Sequence, residues 1–232
     1  MATNVIEILR KSELLRALPT EDLEAVVASS RLRTFRRGQI VCTTGDPGDT
    51  LIVVISGQVK VVARAADGAE LTLTFVGPGA VLGEVSVADG GQRSADVETM
   101  AESQLLLVPR ETVQAVCARV PAVAQALARA VAATLRQANE ATSDLVFLDL
   151  PRRVAKLLLS RPRGDDGVIG QQLTQEEYAR RLGSTRQSVN IAMREFERRG
   201  WIEVSDRTVT VRQPAALARF AYGQRAWQGR DA

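Results

Sequence analysis

Two short stretches of the chain carry side chains that could bind an anion. Gly83 and Glu84 lie in the turn of the first stretch, and Arg93 and Ser94 open the second. A guanidinium can donate two parallel hydrogen bonds to phosphate oxygens, while backbone N–H groups near Gly83 and the Ser94 hydroxyl add donors. Glu84 is then placed to accept from a ligand hydroxyl, such as a ribose 2′-hydroxyl. An Arg93–Glu84 ion pair that ties two loops together is the alternative.

A second set of polar side chains lies on one predicted helix, residues 185–199. The spacing i, i+3, i+4, i+7 predicts that one face is buried, and its residues are Val189, Ala192, Met193 and Phe196. Near its N-terminal end, the side chains suited to base edges in a major groove are Arg186, Gln187 and Asn190. The side chains suited to phosphates are Thr185, Ser188 and Arg194. A basic, solvated helix surface is the alternative.

The elements around this helix predict a winged helix-turn-helix. Pro151 ends one helix and starts the next. Capping boxes at 174–177 and 184–187 open two further helices, which are joined by a tight turn at Gly183. Strands at 201–204 and 208–211 form a hairpin, and Pro214 starts a terminal helix.

The first part of the chain predicts a helical segment followed by a β-barrel. Residues 1–30 have a helical pattern, with Thr20 as an N-cap. Short β-rich runs separated by glycine turns then indicate an antiparallel barrel or sandwich; they span residues 51–55, 59–63, 71–75 and 104–108. Asp67-Gly68 predicts a hairpin with a type I′ turn.

After the barrel, apolar and small residues recur at alternating steps of four and three. These residues are Leu127, Val131, Thr134, Ala138, Ala141, Leu145 and Leu148. The spacing is that of a helix pairing with another helix, which favours a dimer helix. Packing of this helix on its own barrel is the alternative.

Charge is divided unevenly along the 232 residues. Residues 1–150 have 14 Lys+Arg and 18 Asp+Glu, a net charge of −4, and residues 151–232 have 16 and 9, a net charge of +7; together they give the +3 of the whole chain. A basic last third suggests a polyanionic partner. A solvated basic face without a partner is the alternative.

The composition excludes several kinds of chemistry. There is no histidine, so Ser-His-Asp or Cys-His catalysis and a histidine-ligated haem are excluded. The two cysteines, Cys42 and Cys117, have no CxxC spacing, which argues against a structural disulfide and for a reducing cytoplasm. No apolar run reaches the ~20 residues of a membrane span.

The motifs at 41–57 and 82–97 resemble the signatures of the cyclic-nucleotide-binding domain. With the helices above, the whole chain resembles the cyclic-AMP receptor protein branch of the bacterial cyclic-nucleotide-responsive transcription regulators. The resemblance implies that Arg93 and Ser94 bind the cyclic phosphate, that Glu84 binds the ribose 2′-hydroxyl and that Gly83 contributes backbone.

At the positions where this branch has two adjacent hydroxyl residues near the base, the chain has Ala138 and Asn139. Asn139 can donate and accept hydrogen bonds, so it joins the predicted nucleotide site. Cyclic AMP is the first choice, and cyclic GMP or a cyclic dinucleotide stays open. The branch reads bases with arginine, glutamate and a second arginine; here Arg186 matches the first, whereas Gln187 and Ile191 replace the others.

The resulting prediction is an α+β protein: a cyclic-nucleotide-binding β-roll (1–118), a long dimerisation helix (119–150) and a C-terminal winged helix-turn-helix (151–232). We expect a cytoplasmic homodimer that is not an enzyme. We expect it to bind a palindromic promoter site in double-stranded DNA under control of the nucleotide and to contact RNA polymerase, without metal, haem, iron–sulfur cluster or membrane. One alternative is a constitutive DNA-binding regulator whose barrel responds to a non-nucleotide ligand or a cyclic dinucleotide. The other is a nucleotide-responsive enzyme, which is disfavoured because no part of the sequence remains for a catalytic domain.

Overall fold

A computed structural model of the protein describes residues 2–161, 164, 167–169, 173–205 and 208–223. Contacts between residues divide the chain into two units, Met1–Ala138 and Asn139–Ala232. The predicted domain ranges 1–118, 119–150 and 151–232 remain predictions. No helix among the described residues combines the length and apolar composition that crossing a bilayer requires.

The first unit is built on two four-stranded antiparallel sheets. The strands are β1 (Arg31–Phe35), β2 (Ile40–Cys42), β3 (Thr50–Ser56), β4 (Val59–Arg64), β5 (Glu70–Val76), β6 (Val81–Leu82), β7 (Asp96–Thr99) and β8 (Ser103–Pro109). Their orders in the sheets are β1-β8-β3-β6 and β2-β7-β4-β5. The four strands predicted at 51–55, 59–63, 71–75 and 104–108 are therefore confirmed, each slightly longer than its predicted range.

Strand β3 is buried on both faces. Leu51 and Val53 belong to a core cluster shared with the helices of the unit, whereas Ile52 and Val54 belong to a second cluster that includes Val97 of the other sheet. A strand covered on both sides has no polar alternation, which explains the continuous apolar run. Thr50, the first residue of β3, is half-buried and pairs with Pro109 of β8.

The helices of the first unit are α1 (Ala2–Leu9), α2 (Thr20–Ser29), α3 (Glu84–Asp89), α4 (Arg110–Arg119) and the first part of α5 (Pro121–Phe147). The prediction of helix throughout 1–30 is wrong between α1 and α2, where the chain forms turns. Thr20 is the first helical residue, and Pro19 occupies the cap position without a side-chain cap. The Thr20 hydroxyl instead accepts a hydrogen bond from the Arg10 guanidinium at 2.6 Å.

The hairpin between β4 and β5 differs from its predicted turn. Ala65 N–H donates to Ala69 O at 2.9 Å, and Gly68 N–H donates to Ala65 O at 3.0 Å. Three residues thus separate the closing pair, with Gly68 in the left-handed region at φ 86°. This is a three-residue hairpin with glycine at the left-handed position rather than a two-residue type I′ turn.

Helix α5 has two differently packed parts. Near its start, Val123 and Ala126 are buried in the core of the first unit, and Leu127 packs against that core. From Thr134 onward most side chains are exposed, including Leu145 (63% exposed) and Phe147 (77% exposed). The predicted seam is helical through Leu145, whereas Leu148 lies beyond the end of α5.

The second unit contains the predicted helix-turn-helix and its hairpin. Its complete elements are α6 (Leu150–Ser160), α7 (Gln175–Leu182), α8 (Arg186–Arg198), β9 (Ile202–Ser205), β10 (Thr208–Val211) and α9 (Pro214–Tyr222). Strands β9 and β10 pair antiparallel. The predicted wing turn at Asp206 and Arg207 lies outside the described residues.

The two helices of the helix-turn-helix motif, α7 and α8, each begin at a side-chain N-cap. Thr174 caps α7 in a full capping box with Glu177, as predicted. The box predicted to begin at Ser184 is wrong by one residue, because Thr185 is the N-cap of α8 and its Oγ1 accepts from Ser188 N at 3.1 Å. Gly183 ends α7 at φ 58°, a conformation that favours glycine.

One lysine links three segments of the second unit. Lys156 Nζ on α6 lies 2.5 Å from Glu140 Oε1 and 2.6 Å from Asp144 Oδ2, both on the last turns of α5. It also lies 5.9 Å from the centroid of the Tyr222 ring on α9. Burial lowers the pKa of Lys156, but hydrogen bonds with Asp144 and Glu140 outweigh burial and raise it.

Candidate functional site

Arg93 is the central charged group of the predicted anion site. Its side chain is buried, with the residue 6% exposed. Nη2 donates to Thr50 O at 2.6 Å and to Thr50 Oγ1 at 2.8 Å, and Nη1 donates to Ser86 Oγ at 3.2 Å. Nε has no hydrogen-bond partner among the described residues. A buried cation with neutral partners and a free donor has the charge and the hydrogen-bonding capacity that an anionic ligand requires.

The alternative of an Arg93–Glu84 ion pair is contradicted. Among the described residues, the Arg93 guanidinium bonds only to Thr50 and Ser86. Glu84 Oε1 instead accepts a hydrogen bond from the Thr134 hydroxyl of α5 at 2.8 Å. The carboxylate predicted to bind a ribose hydroxyl therefore already accepts a hydrogen bond from a hydroxyl group, and this bond joins α3 to α5 within the first unit.

Gly83 allows the guanidinium to approach the backbone. Its φ is +82°, and a Cβ at this position would lie 1.9 Å from Arg93 Nη1 and 3.1 Å from Cζ. Any side chain larger than hydrogen would therefore displace Arg93. Ser94 follows Arg93 and is exposed.

A cavity of about 240 Å³ opens beside Arg93. Its lining residues are Val41, Cys42, Asp46, Pro47, Asp49, Thr50, Ile52, Arg93 and Leu107. The lining combines apolar side chains with the Arg93 guanidinium and the carboxylates of Asp46 and Asp49, and it does not include Gly83, Glu84 or Ser94. Burial raises the pKa of the Cys42 thiol, and the positive charge of Arg93 offsets only part of this effect.

The backbone of Arg93 is fixed by the neighbouring turn. Gly45 N–H donates to Arg93 O and Arg93 N–H donates to Asp46 O, each at 2.9 Å. Asp96 holds the same turn through Thr44 N at 2.7 Å and Thr44 Oγ1 at 2.8 Å. Burial raises the pKa of Asp96, but the hydrogen bonds from Thr44 and from the Arg64 guanidinium outweigh burial and lower it.

The predicted nucleotide residues are thus only partly brought together. Gly83, Arg93 and Glu84 surround the region where β3, α3 and α5 meet, whereas Asn139 is exposed and is the first residue of the second unit. Thr50, Ser86 and Thr134 contact the predicted residues and were missed as site residues. Ser86 lies inside the motif at 82–87, which was a usable signal, whereas Thr134 was assigned only to the seam.

Helix α8 presents the predicted DNA-contacting residues. Val189, Ala192, Met193 and Phe196 are buried, which confirms the predicted core face. Arg186, Gln187, Thr185 and Arg194 are exposed, whereas Ser188 and Asn190 are half-buried.

Gln175, the first residue of α7, was missed by the sequence prediction. Its Nε2 donates to Asn190 Oδ1 at 3.4 Å, and its Oε1 lies 3.5 Å from Arg186 Nε. Both distances are long for hydrogen bonds, so Gln175 orients Arg186 and Asn190 weakly and leaves them available to a partner.

The basic residues of α8 differ in how far they are neutralised. Arg198 and Arg199 donate to Glu195, and these hydrogen bonds lower the pKa of Glu195 to about 2. Arg194 makes no hydrogen bond or ion pair with the described residues. Arg194 and Arg186 are therefore the cations of this helix that remain most available to an anionic partner.

Both halves of the chain match known families. Residues 32–120 match the cyclic nucleotide-binding domain, and residues 152–220 match the Crp-like helix-turn-helix domain. Together with the buried arginine site and the exposed α8 surface, these matches define a cyclic-nucleotide-binding, DNA-binding transcription regulator.

The chain is 35% identical over 221 residues to the CRP-like cAMP-activated global transcriptional regulator of Mycobacterium tuberculosis, which covers 93% of this chain and 99% of the relative. It is 32% identical over 215 residues to the cyclic AMP receptor protein of Thermus thermophilus, with coverage of 93% and 99%. The chain therefore belongs to the family of CRP-like transcriptional regulators. Regulators of this family bind DNA and act as dimers.

A solved structure shares the fold. The c-di-GMP responsive global regulator CLP of Xanthomonas campestris has a TM-score of 0.71 and 24% sequence identity, covering 83% of this chain and 99% of that chain. The predicted α+β architecture, with a nucleotide-binding β-sheet domain, a long helix and a C-terminal helix-turn-helix, is confirmed.

Proposed function

We propose that cyclic AMP binds beside Arg93 and controls DNA binding by α8. The observation that carries this proposal is the buried Arg93 guanidinium, which has neutral partners and an unpaired Nε. The cyclic phosphate would bond to Arg93 and Ser94, with backbone from Gly83, and the ribose 2′-hydroxyl would bond to Glu84. Asn139 would contact the base. The relatives named for cyclic AMP, at 35% and 32% identity, support this effector.

A cyclic dinucleotide is the second candidate. The exchange of a hydroxyl pair for Ala138 and Asn139 favours it, and one neighbour of the same fold is described as c-di-GMP responsive. Against it, the relatives of 35% and 32% identity are named for cyclic AMP.

Thermal unfolding with a panel of ligands tests the effector. Cyclic AMP, cyclic GMP and cyclic di-GMP are compared with linear AMP, and a true effector at one hundred times its Kd should stabilise the protein by about 2.7 kcal/mol. Arg93→Ala should abolish the shift, whereas Arg119→Ala, at an exposed arginine of the same unit, should retain it. A folded Arg93→Ala protein that responds like wild type would place the phosphate elsewhere.

A homodimer paired along α5 is part of the proposal. The exposed apolar side chains at the far end of the helix, Leu145, Val146 and Phe147, support it because a monomer would leave them in water. The Glu84–Thr134 hydrogen bond supports coupling, because a nucleotide that engages Glu84 also acts on α5. The proposal also includes a cytoplasmic location and a contact with RNA polymerase, both inferred from membership of the family.

On DNA, Arg186, Gln187 and Asn190 would contact base edges, and Thr185, Ser188 and Arg194 would contact phosphates. Two α8 helices related by a two-fold axis would read half-sites about 34 Å apart. If DNA binding proved equally tight with and without nucleotide, the constitutive alternative would replace ligand-gated control.

Arg186 and Arg194 form a matched pair for testing DNA contacts, since both are exposed arginines on α8. Arg186→Ala should cost roughly 1–3 kcal/mol at the selected site and relax one base pair per half-site. Arg194→Ala should weaken all duplexes alike and lower the salt slope by about 0.9 per subunit. Site selection on randomised DNA measures both, and an unchanged consensus for Arg186→Ala would contradict the assigned register.

A further inference from the structure

An isoleucine lies on the outward face of α8. Ile191 is 64% exposed, and among the described residues of the four helices α6, α7, α8 and α9 it is the only exposed large apolar side chain; Val204 on β9 is 36% exposed. It follows Gln187 by four residues and precedes Arg194 by three, so the three side chains form one stripe along the helix. That stripe is opposite the buried face formed by Val189 and its partners.

Folding does not account for this residue. Ile191 does not belong to the buried face of α8, which is formed by Val189, Ala192, Met193 and Phe196. A β-branched side chain also loses rotamer freedom in a helix, so an exposed isoleucine offers no advantage to the isolated unit. Its neighbours on the stripe are polar, and they are assigned to DNA under the proposed function.

We propose that Ile191 packs against the C5-methyl group of a thymine and so fixes one T·A pair in each half-site. This inference rests on the proposed function, because it requires α8 in the major groove. The thymine methyl is the one apolar group that base edges present there, and it is therefore the natural partner for an exposed aliphatic side chain between Gln187 and Arg194.

The position of the thymine follows from helix geometry. Ile191 lies ~6 Å along the axis from Gln187, at 1.5 Å per residue. Successive bases of one strand are 3.4 Å apart, so the thymine should lie about two base pairs from the base read by Gln187. An apolar contact of this kind specifies sequence without adding charge, and it should leave the salt slope unchanged.

The test removes the methyl group without changing the hydrogen-bonding pattern of the base pair. In the duplex that wild type selects from randomised DNA, each thymine is replaced in turn by deoxyuridine, and binding is measured with and without cyclic AMP. One position per half-site should lose affinity by about fourfold, the transfer value of one methyl group. Ile191→Ala should bind the thymine and deoxyuridine duplexes equally well, and Ile40→Ala, which alters an isoleucine 52% exposed on β2, should behave like wild type.

The outcomes separate the two proposals. If no thymine is sensitive to loss of its methyl group, or if Ile191→Ala keeps the wild-type sensitivity, the inference about Ile191 is wrong while α8 can still read DNA through Arg186. If wild type selects no duplex under either condition, the proposed function itself fails and the inference fails with it.

Discussion

Substitution of Gly83 by alanine should disable the proposed effector site by displacing Arg93, although the backbone of residue 83 stays available to the phosphate. The new Cβ would lie 1.9 Å from Arg93 Nη1, so the guanidinium must move. Moving it breaks the hydrogen bonds to Thr50 and Ser86 that hold the cation in place. Gly68→Ala is a matched control, because Gly68 has φ +86° and its Cβ would meet nothing within 4 Å.

The magnitudes follow from these contacts. A residue with a Cβ pays about 1–2 kcal/mol for the left-handed conformation, which both substitutions share. Only Gly83→Ala also displaces Arg93, whose hydrogen bonds are worth about 1.5–3 kcal/mol for a charged group, partly replaced by water. We therefore expect the free energy of unfolding to fall by about 2–4 kcal/mol in Gly83→Ala and by about 1–2 kcal/mol in Gly68→Ala.

Ligand affinity separates the two variants more sharply. If the phosphate loses a charge-assisted contact of about 2–3 kcal/mol, cyclic AMP should bind Gly83→Ala roughly 30- to 150-fold more weakly. Gly68→Ala should bind like wild type. Urea unfolding followed by circular dichroism gives the stabilities, and calorimetric titration gives the affinities. Equal affinity in the two variants would refute the argument that the close approach at residue 83 fixes the anion site.

Two further predictions concern the dimer and the pH dependence. Leu145→Glu should yield monomers in light scattering, because an unpaired charge in a helix seam costs several kcal/mol. The same change at Leu71, which is exposed on β5, should leave the dimer intact. An unchanged mass for Leu145→Glu would contradict the predicted helix seam. The pKa of Asp96 is lower in the folded than in the unfolded protein, so its ionised form stabilises the fold above the unfolded pKa of about 3.9, and that stability is lost as pH falls below it. Asp96→Asn should therefore be less stable than wild type at pH 7 and should lose less stability on acidification. Urea unfolding of both proteins at pH 7 and at acidic pH measures this, and a difference in the free energy of unfolding that stays the same at the two pH values would contradict it.

Local sequence patterns predicted most of the elements because each element is determined by nearby residues. The strand at Leu51 was identifiable from its apolar run, and the core face of α8 from its helical period. The start of α8 was misplaced because Ser184 and Thr185 can both cap a helix, and only the hydrogen bond to Ser188 distinguishes them. Thr20 was misassigned because its hydroxyl binds Arg10, a contact that sequence spacing does not reveal.

The assignment of Arg93 and Glu84 to a nucleotide site stays a prediction, and the neutral side chains that contact them in the structure were missed. Arg93 and Glu84 are recognisable because few other residues can bind a phosphate or a ribose hydroxyl. Thr50 lies 43 residues before Arg93, and their contact depends on how β3 packs in its sheet. Thr134 was expected only in a seam, since its period matched, yet its hydroxyl contacts Glu84. Such contacts depend on tertiary packing, which the periodicity of a single segment does not encode.

The Lys156 cluster bears on how a paired protein would engage two half-sites in succession. Its bonds to Glu140 and Asp144, with the Tyr222 ring nearby, join the end of α5 to α6 and α9. Within the second unit, these contacts fix the last turns of α5 to the helices packed around α8, so under the proposed function each α8 would be attached firmly to the end of α5 that pairs in the dimer. Once one half-site is occupied, the second α8 is held at a high effective concentration over its own half-site only if the distance between the two helices matches the distance between the half-sites. A stiff connection cannot adapt to other distances. Inserting one base pair between the half-sites should therefore lower the binding affinity far more than it would for a protein with a flexible connection.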